Sequence, residues 1–118
     1  MNYMLLIYLD ESWTSRSLPE RQRLYQDQVK FSEDLAARGR YLAGSPLQPP
    51  AQARTVRVRD GKPLLTDGPF AETREHLGGY MLIEARDLDE AVEVAGRAPL
   101  ARVGTIEVRP VRQGPPVA

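Results

Sequence analysis

From Tyr3 to Leu9 the chain is an almost unbroken apolar run, closed by Asp10-Glu11-Ser12. Apolar positions without alternation predict a central strand buried on both faces. The period then changes. After Pro19 the apolar residues Leu24, Phe31 and Leu35 fall seven and four apart, with Gly39 beyond them. This predicts an amphipathic helix of about five turns, entered through proline and stopped at glycine. Gln28 and Ser32 lie on or beside the same stripe, so two polar groups point toward whatever the helix covers. Either they mark a helix edge wetted by solvent, or they are the polar lining of a pocket beneath the helix.

Tyr41 to Leu47 predicts a short strand, ended by the proline-containing stretch 46–50, which cannot continue a ladder. Thr55 to Arg59 alternates strictly, Val56 and Val58 against Thr55, Arg57 and Arg59, and Asp60-Gly61 then supplies two positive-φ positions for a tight turn. Lys62 to Thr66 returns as the partner strand of a hairpin. Gly78 to Ala85, with its run from Tyr80 to Ile83, predicts another buried strand. Asp87, with Glu90 three residues on, caps a helix whose stripe is Leu88, Ala91, Val92 and Ala95, and Pro99 ends it. Ile106 and Val108 oppose Glu107 and Arg109 in a last strand, Thr105 to Arg112.

The order β-α-β, hairpin, β-α-β predicts an α+β fold: a ferredoxin-like antiparallel sheet with two helices on one face and an extra β-hairpin. One domain is expected over residues 1–112, with a tail at 113–118. A sheet whose second face is apolar must bury it, commonly against another copy, so a homodimer is expected.

Composition narrows the function. The chain has 118 residues, enough for one core, and sixteen basic residues balance sixteen acidic ones, so no global field draws it to nucleic acid or an anionic membrane. Without cysteine, disulfides, thiolate catalysis and cysteine-held metal centres are excluded. The apolar run Met4 to Leu9 is too short for a membrane span or a secretory core, and a cytoplasmic location is the default expectation. Asp67, Glu72, Glu75 and His76 have the chemistry of metal ligands but no familiar spacing; no metal and no cofactor are expected.

The most distinctive stretch is Asp67-Gly68-Pro69-Phe70-Ala71-Glu72-Thr73-Arg74-Glu75. Together with the opening strand 3–8, Leu77-Gly78-Gly79-Tyr80, Asp87 to Ala91 and Ile106 to Val111, it resembles the YCII-related family in its DGPF-motif branch, over nearly the whole chain. The resemblance implies a dimeric α+β barrel, two ferredoxin-like sheets packed face to face. It brings no secure activity, because members are largely uncharacterised. Genes of this branch often stand beside those for extracytoplasmic-function sigma factors, which implies a possible functional link. Some members are thought to carry a His–Asp pair, whereas this sequence has one histidine, His76.

Two roles are open for Asp67: a turn residue accepting backbone N–H groups while Gly68 takes an unusual φ, or a general base or ligand anchor. On the second, a small molecule binds beside the turn, held by Gln28, Gly68, Pro69, Phe70, Glu72 and Tyr80. His76 is either a solvated surface histidine or, if the segment is helical, an acid–base partner of Glu72. The alternative to a small-molecule site is a non-catalytic regulatory or interaction module linked to a sigma factor. Sequence alone leaves open whether a reaction is catalysed.

Overall fold

Alternating burial along the first strand sets the layers of the molecule. In the computed structural model, which describes residues 1–115, β1 spans Asn2–Leu9, with Tyr3, Leu5, Ile7 and Leu9 buried and the intervening residues half-buried. One face is therefore covered within the chain, and the other is apolar but open. The run reads as doubly buried because both faces carry apolar side chains, although a single copy covers one.

After β1 come α1 (Glu11–Thr14), α2 (Leu18–Ala37), β2 (Tyr41–Pro46), β3 (Arg54–Arg59), β4 (Lys62–Asp67), β5 (His76–Glu84), α3 (Leu88–Arg97) and β6 (Thr105–Pro110). Short 3₁₀ turns stand at Pro50–Gln52 and Pro99–Arg102. The main sheet is antiparallel in the order β2-β5-β1-β6, and β3 and β4 form a separate two-stranded arm. This is the ferredoxin-like order with a hairpin inserted between β2 and β5. It is the protomer fold of the dimeric α+β barrel class.

Local chemistry explains the elements. Ser17 caps α2, its hydroxyl accepting from the Glu20 N–H at 3.3 Å, and Gly39 beyond the helix takes φ +71°; such an N-cap and left-handed stop are the usual helix boundaries. At α3 the Asp87 carboxylate accepts from Glu90 N–H at 2.9 Å, while Glu90 accepts from Arg86 N–H rather than from the cap residue itself. The hydrogen bond from Glu90 N–H holds the Asp87 carboxyl below its ordinary range. The arm turns at Asp60 (φ 52°) and Gly61 (φ 73°), the two positive-φ positions expected of Asp-Gly. α1 was not foreseen; its cap is Asp10, whose carboxylate accepts from Ser12 N–H at 2.9 Å, and it sets Trp13 against the core.

The core lies between the sheet and the two longer helices. Leu5, Ile83, Met81 and Tyr3 from the sheet meet Leu35 of α2 and Ala91, Val94 and Ala95 of α3, with Leu100 closing the end. β3 and β4 contribute nothing to it: Val56, Val58, Leu64 and Leu65 are all exposed.

Candidate functional site

Three glycines hollow the sheet beneath α2. A side chain at Gly44 would place its Cβ 2.6 Å from the Tyr41 hydroxyl and 2.8 Å from the Tyr80 carbonyl oxygen, so only glycine fits there. Gly78 and Gly79 sit where the β1–β5 register slips by one residue, a bulge that sets both toward the helix layer against Leu9 and Ser45. The result is a floor in which bare backbone at the glycines alternates with Ile7, Tyr41 and Met81, with α2 as its roof, bounding a half-open cavity of about 330 Å³.

The helix side of that cavity carries Tyr25, Gln28, Val29, Ser32, Glu33 and Ala36, spacings of three and four that place one row above the floor. Gln28 and Ser32 thus line a pocket rather than a wetted helix edge. Gln28 is 7% exposed. Its Oε1 accepts from Leu100 N–H at 3.3 Å, and its Nε2 donates to the Met81 sulfur at 3.2 Å. The Leu100 bond fixes which way the amide faces, and an amide nitrogen has two hydrogens. One of them meets only a weak thioether acceptor, so the cavity holds a buried, oriented donor with capacity to spare. Ser32 donates to the Gln28 carbonyl oxygen at 3.1 Å, leaving its own oxygen lone pairs as acceptors, and Glu33 adds a carboxylate to the lining. Tyr80 stands between Gly79 and Met81, so strand alternation sends its ring to the open face of the sheet; it meets the cavity along its backbone.

The motif residues lie elsewhere. None of residues 67–76 lines this cavity. Asp67 ends β4 with a side chain 89% exposed, and its carboxylate pairs with Arg54 Nε at 3.1 Å across the ladder. It does not fold back onto turn amides as a local turn residue would. The turn is held instead by Gly68, whose N–H donates to Ala53 O and whose carbonyl accepts from the Thr55 hydroxyl, each at 2.8 Å. Gly68 does take φ +92°. Phe70 lies on the surface under the guanidinium of Arg57, 4.8 Å from ring centroid to Cζ, and Pro69 and Glu72 are exposed.

The helical premise for a Glu72–His76 pair fails, because residues 71–75 form no helix and His76 opens β5 opposite Leu9. Its neighbour Glu75 is engaged by the Thr105 hydroxyl at 2.8 Å. Among the described residues no group of three or more His, Cys, Asp or Glu is gathered to hold a metal, and no helix is long and apolar enough to cross a membrane. Tyr25, Tyr41, Glu33 and Gly44 escaped the sequence shortlist. A glycine inside a strand and a polar row at helical spacing were the available signals.

Asp67→Ala should therefore change little. An exposed pair of this kind contributes about 0–1 kcal/mol, and urea denaturation of Asp67→Ala should stay within that range of wild type. A loss of about 2 kcal/mol or more would show that the carboxylate holds buried amides after all.

A ferredoxin-like α+β protomer with a pocket between its long helix and its sheet defines the class. The chain itself belongs to the YCII-related domain family, whose model matches residues 1–114. It is 38% identical over 114 residues to an uncharacterized protein of Rhizobium meliloti (strain 1021), covering 94% of this chain and 92% of that protein. Among solved structures it is similar to the 5-chloro-2-hydroxyhydroquinone dehydrochlorinase of Burkholderia phenoliruptrix in complex with 2,5-dihydroxybenzoquinone. The TM-score is 0.57, identity is 17%, and 97% of this chain and 96% of that one are covered.

Proposed function

We propose that this protein binds, and acts upon, a small flat molecule of largely apolar character carrying at least one acceptor oxygen, in the cavity between α2 and the β2–β5 floor. The observation that carries this is the buried Gln28 amide, fixed by Leu100, bonded through Nε2 only to a thioether, and lining an otherwise mostly apolar space. A site of a few oriented polar groups in an apolar cavity of this size is the common form of a small-molecule pocket. The glycine floor favours a plate-like ligand, since backbone without side chains lets a ring lie close. Ser32 and Glu33 would offer acceptors to ligand hydroxyls, and in this reading the exposed Glu33 carboxylate takes a proton from one of them. That the similar solved enzyme is complexed with a dihydroxybenzoquinone supports this ligand type.

In this proposal the Asp67 turn is not the pocket, and Asp67 and His76 hold no catalytic role. The working unit is a homodimer packed through the open face of the main sheet, where Met4, Leu6 and Leu82 are only half-buried in one chain.

A thermal-shift assay tests the ligand. Hydroquinone, catechol and 2,5-dihydroxybenzoquinone should raise the melting midpoint in a concentration-dependent way, since a ligand at about a hundred times its Kd contributes about 2.7 kcal/mol. Cyclohexane-1,4-dione, which is puckered, should shift it less. If none of the planar probes moves the midpoint at millimolar concentration, the proposal loses its ligand class.

A further inference from the structure

The β3–β4 arm has two unlike faces. Ladder partners share a face: the pairs Val56–Leu65 and Val58–Pro63 make one side apolar, with the Arg54–Asp67 ion pair at its base, while Arg57, Arg59 and Lys62 make the other side basic around Leu64, the partner of Arg57. The apolar side is bare: Val58 is 60% and Leu65 75% exposed. β3 and β4 pack essentially on each other alone, and an isolated two-stranded hairpin is marginal in water.

The chain as a whole exposes 8431 Å², whereas a compact monomer of this mass exposes about 6,400 Å². The excess, about 2,000 Å², is of the order that one protomer gives up in a large obligate interface. The radius of gyration agrees, at 16.2 Å against about 13.5 Å for a compact chain of this length. A surface of this size is what a chain that buries part of itself against a second copy would expose when alone.

The same chain holds a complementary socket. Between α3 and β6 runs a second groove of about 420 Å³, lined by Leu88, Val92, Ala95, Ala101, Ile106 and Val108. Leu88 and Val92 are about half exposed at its lip. Beside them on the helix stand the exposed acids Asp89 and Glu93, opposite in sign to the basic side of the arm.

We infer that the β3–β4 arm of one copy docks in the α3–β6 groove of a second copy, and the reverse, about a two-fold axis. Val56, Val58 and Leu65 enter the groove, and Arg57, Arg59 and Lys62 meet Asp89 and Glu93. This rests on the homodimer proposed above, and the sheet order makes it reachable. A two-fold axis along the strands sets β2 of one copy over β6 of the other, since these are opposite edges of the sheet. The arm follows β2 and is about 20 Å long at the usual rise of a strand. In a closed two-fold assembly each contact occurs twice, so one arm and one groove per chain leave no arm and no groove unfilled.

The absence of cysteine makes a cross-linking test clean. Val58→Cys, Val92→Cys and the double variant would each be treated with a short bismaleimide, run on denaturing gels and weighed by sedimentation equilibrium. Both positions are exposed in the protomer, so folding is expected to persist, with circular dichroism as the check. The double variant should become a covalent dimer almost completely, and each single variant should remain uncross-linked. Cross-linking of Val58→Cys alone would overturn the proposal, because the arms would then meet each other.

An intramolecular cross-link in the double variant would overturn it too, by placing the arm on its own groove. A dimer by sedimentation with no cross-link would leave the sheet-face dimer standing and free the arm for some other partner, sinking this inference alone. A monomer would remove both. As a second measurement, Arg57→Glu/Arg59→Glu should weaken dimerisation at least tenfold, and adding Asp89→Lys/Glu93→Lys to the same chain should restore it. Failure of the charge swap to restore it would count against the docking.

Discussion

Leu5→Ala is expected to cost about 2–5 kcal/mol of folding free energy, a large part of the 5–15 kcal/mol typical of a single domain. Leu5 is wholly buried in β1, an inner strand, with Met81 and Val108 as its ladder partners on either side. Above it lies the helix layer, with Leu35, Ala91 and Val94 in the same core cluster. Two neighbouring strands hold the backbone, so the sheet cannot sag into the space that the three missing heavy atoms leave. The surviving cavity adds its own cost to the lost transfer free energy, which places this site toward the upper part of the range.

Leu65→Ala provides the contrast. Leu65 is 75% exposed on the arm of a single chain, so in protomers kept dissociated by dilution its removal should change stability by no more than about 0.5 kcal/mol, whereas in the dimer it should cost whatever the docked arm contributes. Urea denaturation at one fixed protomer concentration, because association couples to folding, would measure both. A loss below about 1 kcal/mol at Leu5 would mean that the core collapses around the gap, and the layer arrangement described above would be wrong.

The difference between these two leucines was legible in the sequence only in part. Strict alternation in β3 and β6 and the change of period at α2 predicted the elements to within a residue or two, because those signals are local. The Asp60-Gly61 turn was equally local, and its two positive φ angles follow from side-chain sterics alone. What sequence could not supply was exposure. Val56, Val58 and Leu65 look like a strand's buried side, and only the three-dimensional placement of the arm, away from α2 and α3, shows that one chain leaves them bare.

The site was divided in the same way. Gln28 stood out because an amide on an apolar stripe needs a partner, which is a physical demand visible in one dimension. The Asp67 motif stood out because it carries the resemblance to the family, and a motif does not reveal where a turn lies relative to a pocket. Glu72 and His76 were four apart, a meaningful spacing in a helix and an empty one in the irregular segment that the chain adopts there. Gly78 and Gly79 stand, in the sequence, only as the head of the predicted strand Gly78 to Ala85. The bulge they form, by which both face the helix layer, depends on a register slip against β1 that no local pattern encodes.

Gln28→Leu is expected to lose stability and ligand response together, and the pairing of the two effects is what makes it informative. Leucine fills most of the volume but cannot accept from Leu100 N–H, which would then be left unpaired beneath α2. An unsatisfied buried donor costs about 1–3 kcal/mol, partly offset by the apolar group that replaces the amide. The same change removes a buried amide donor from the lining of the cavity. The midpoint shift produced by 2,5-dihydroxybenzoquinone should therefore vanish, even after correction for the lower starting midpoint.

Met81→Leu separates the two effects. It removes the thioether that accepts from Gln28 Nε2 while nearly conserving volume, so it should cost less than about 1.5 kcal/mol. It also leaves both amide hydrogens free for a ligand, so the probe response should persist or rise. Urea denaturation and thermal shift on wild type and the two variants would give all six values. If Gln28→Leu keeps the full ligand shift, the amide is only a strut between α2 and the 99–102 turn, and recognition must lie with Ser32, Glu33 or the tyrosines. If its stability is unchanged as well, the Leu100 hydrogen bond carries no weight, and Gln28 is a buried polar residue that the fold tolerates without using.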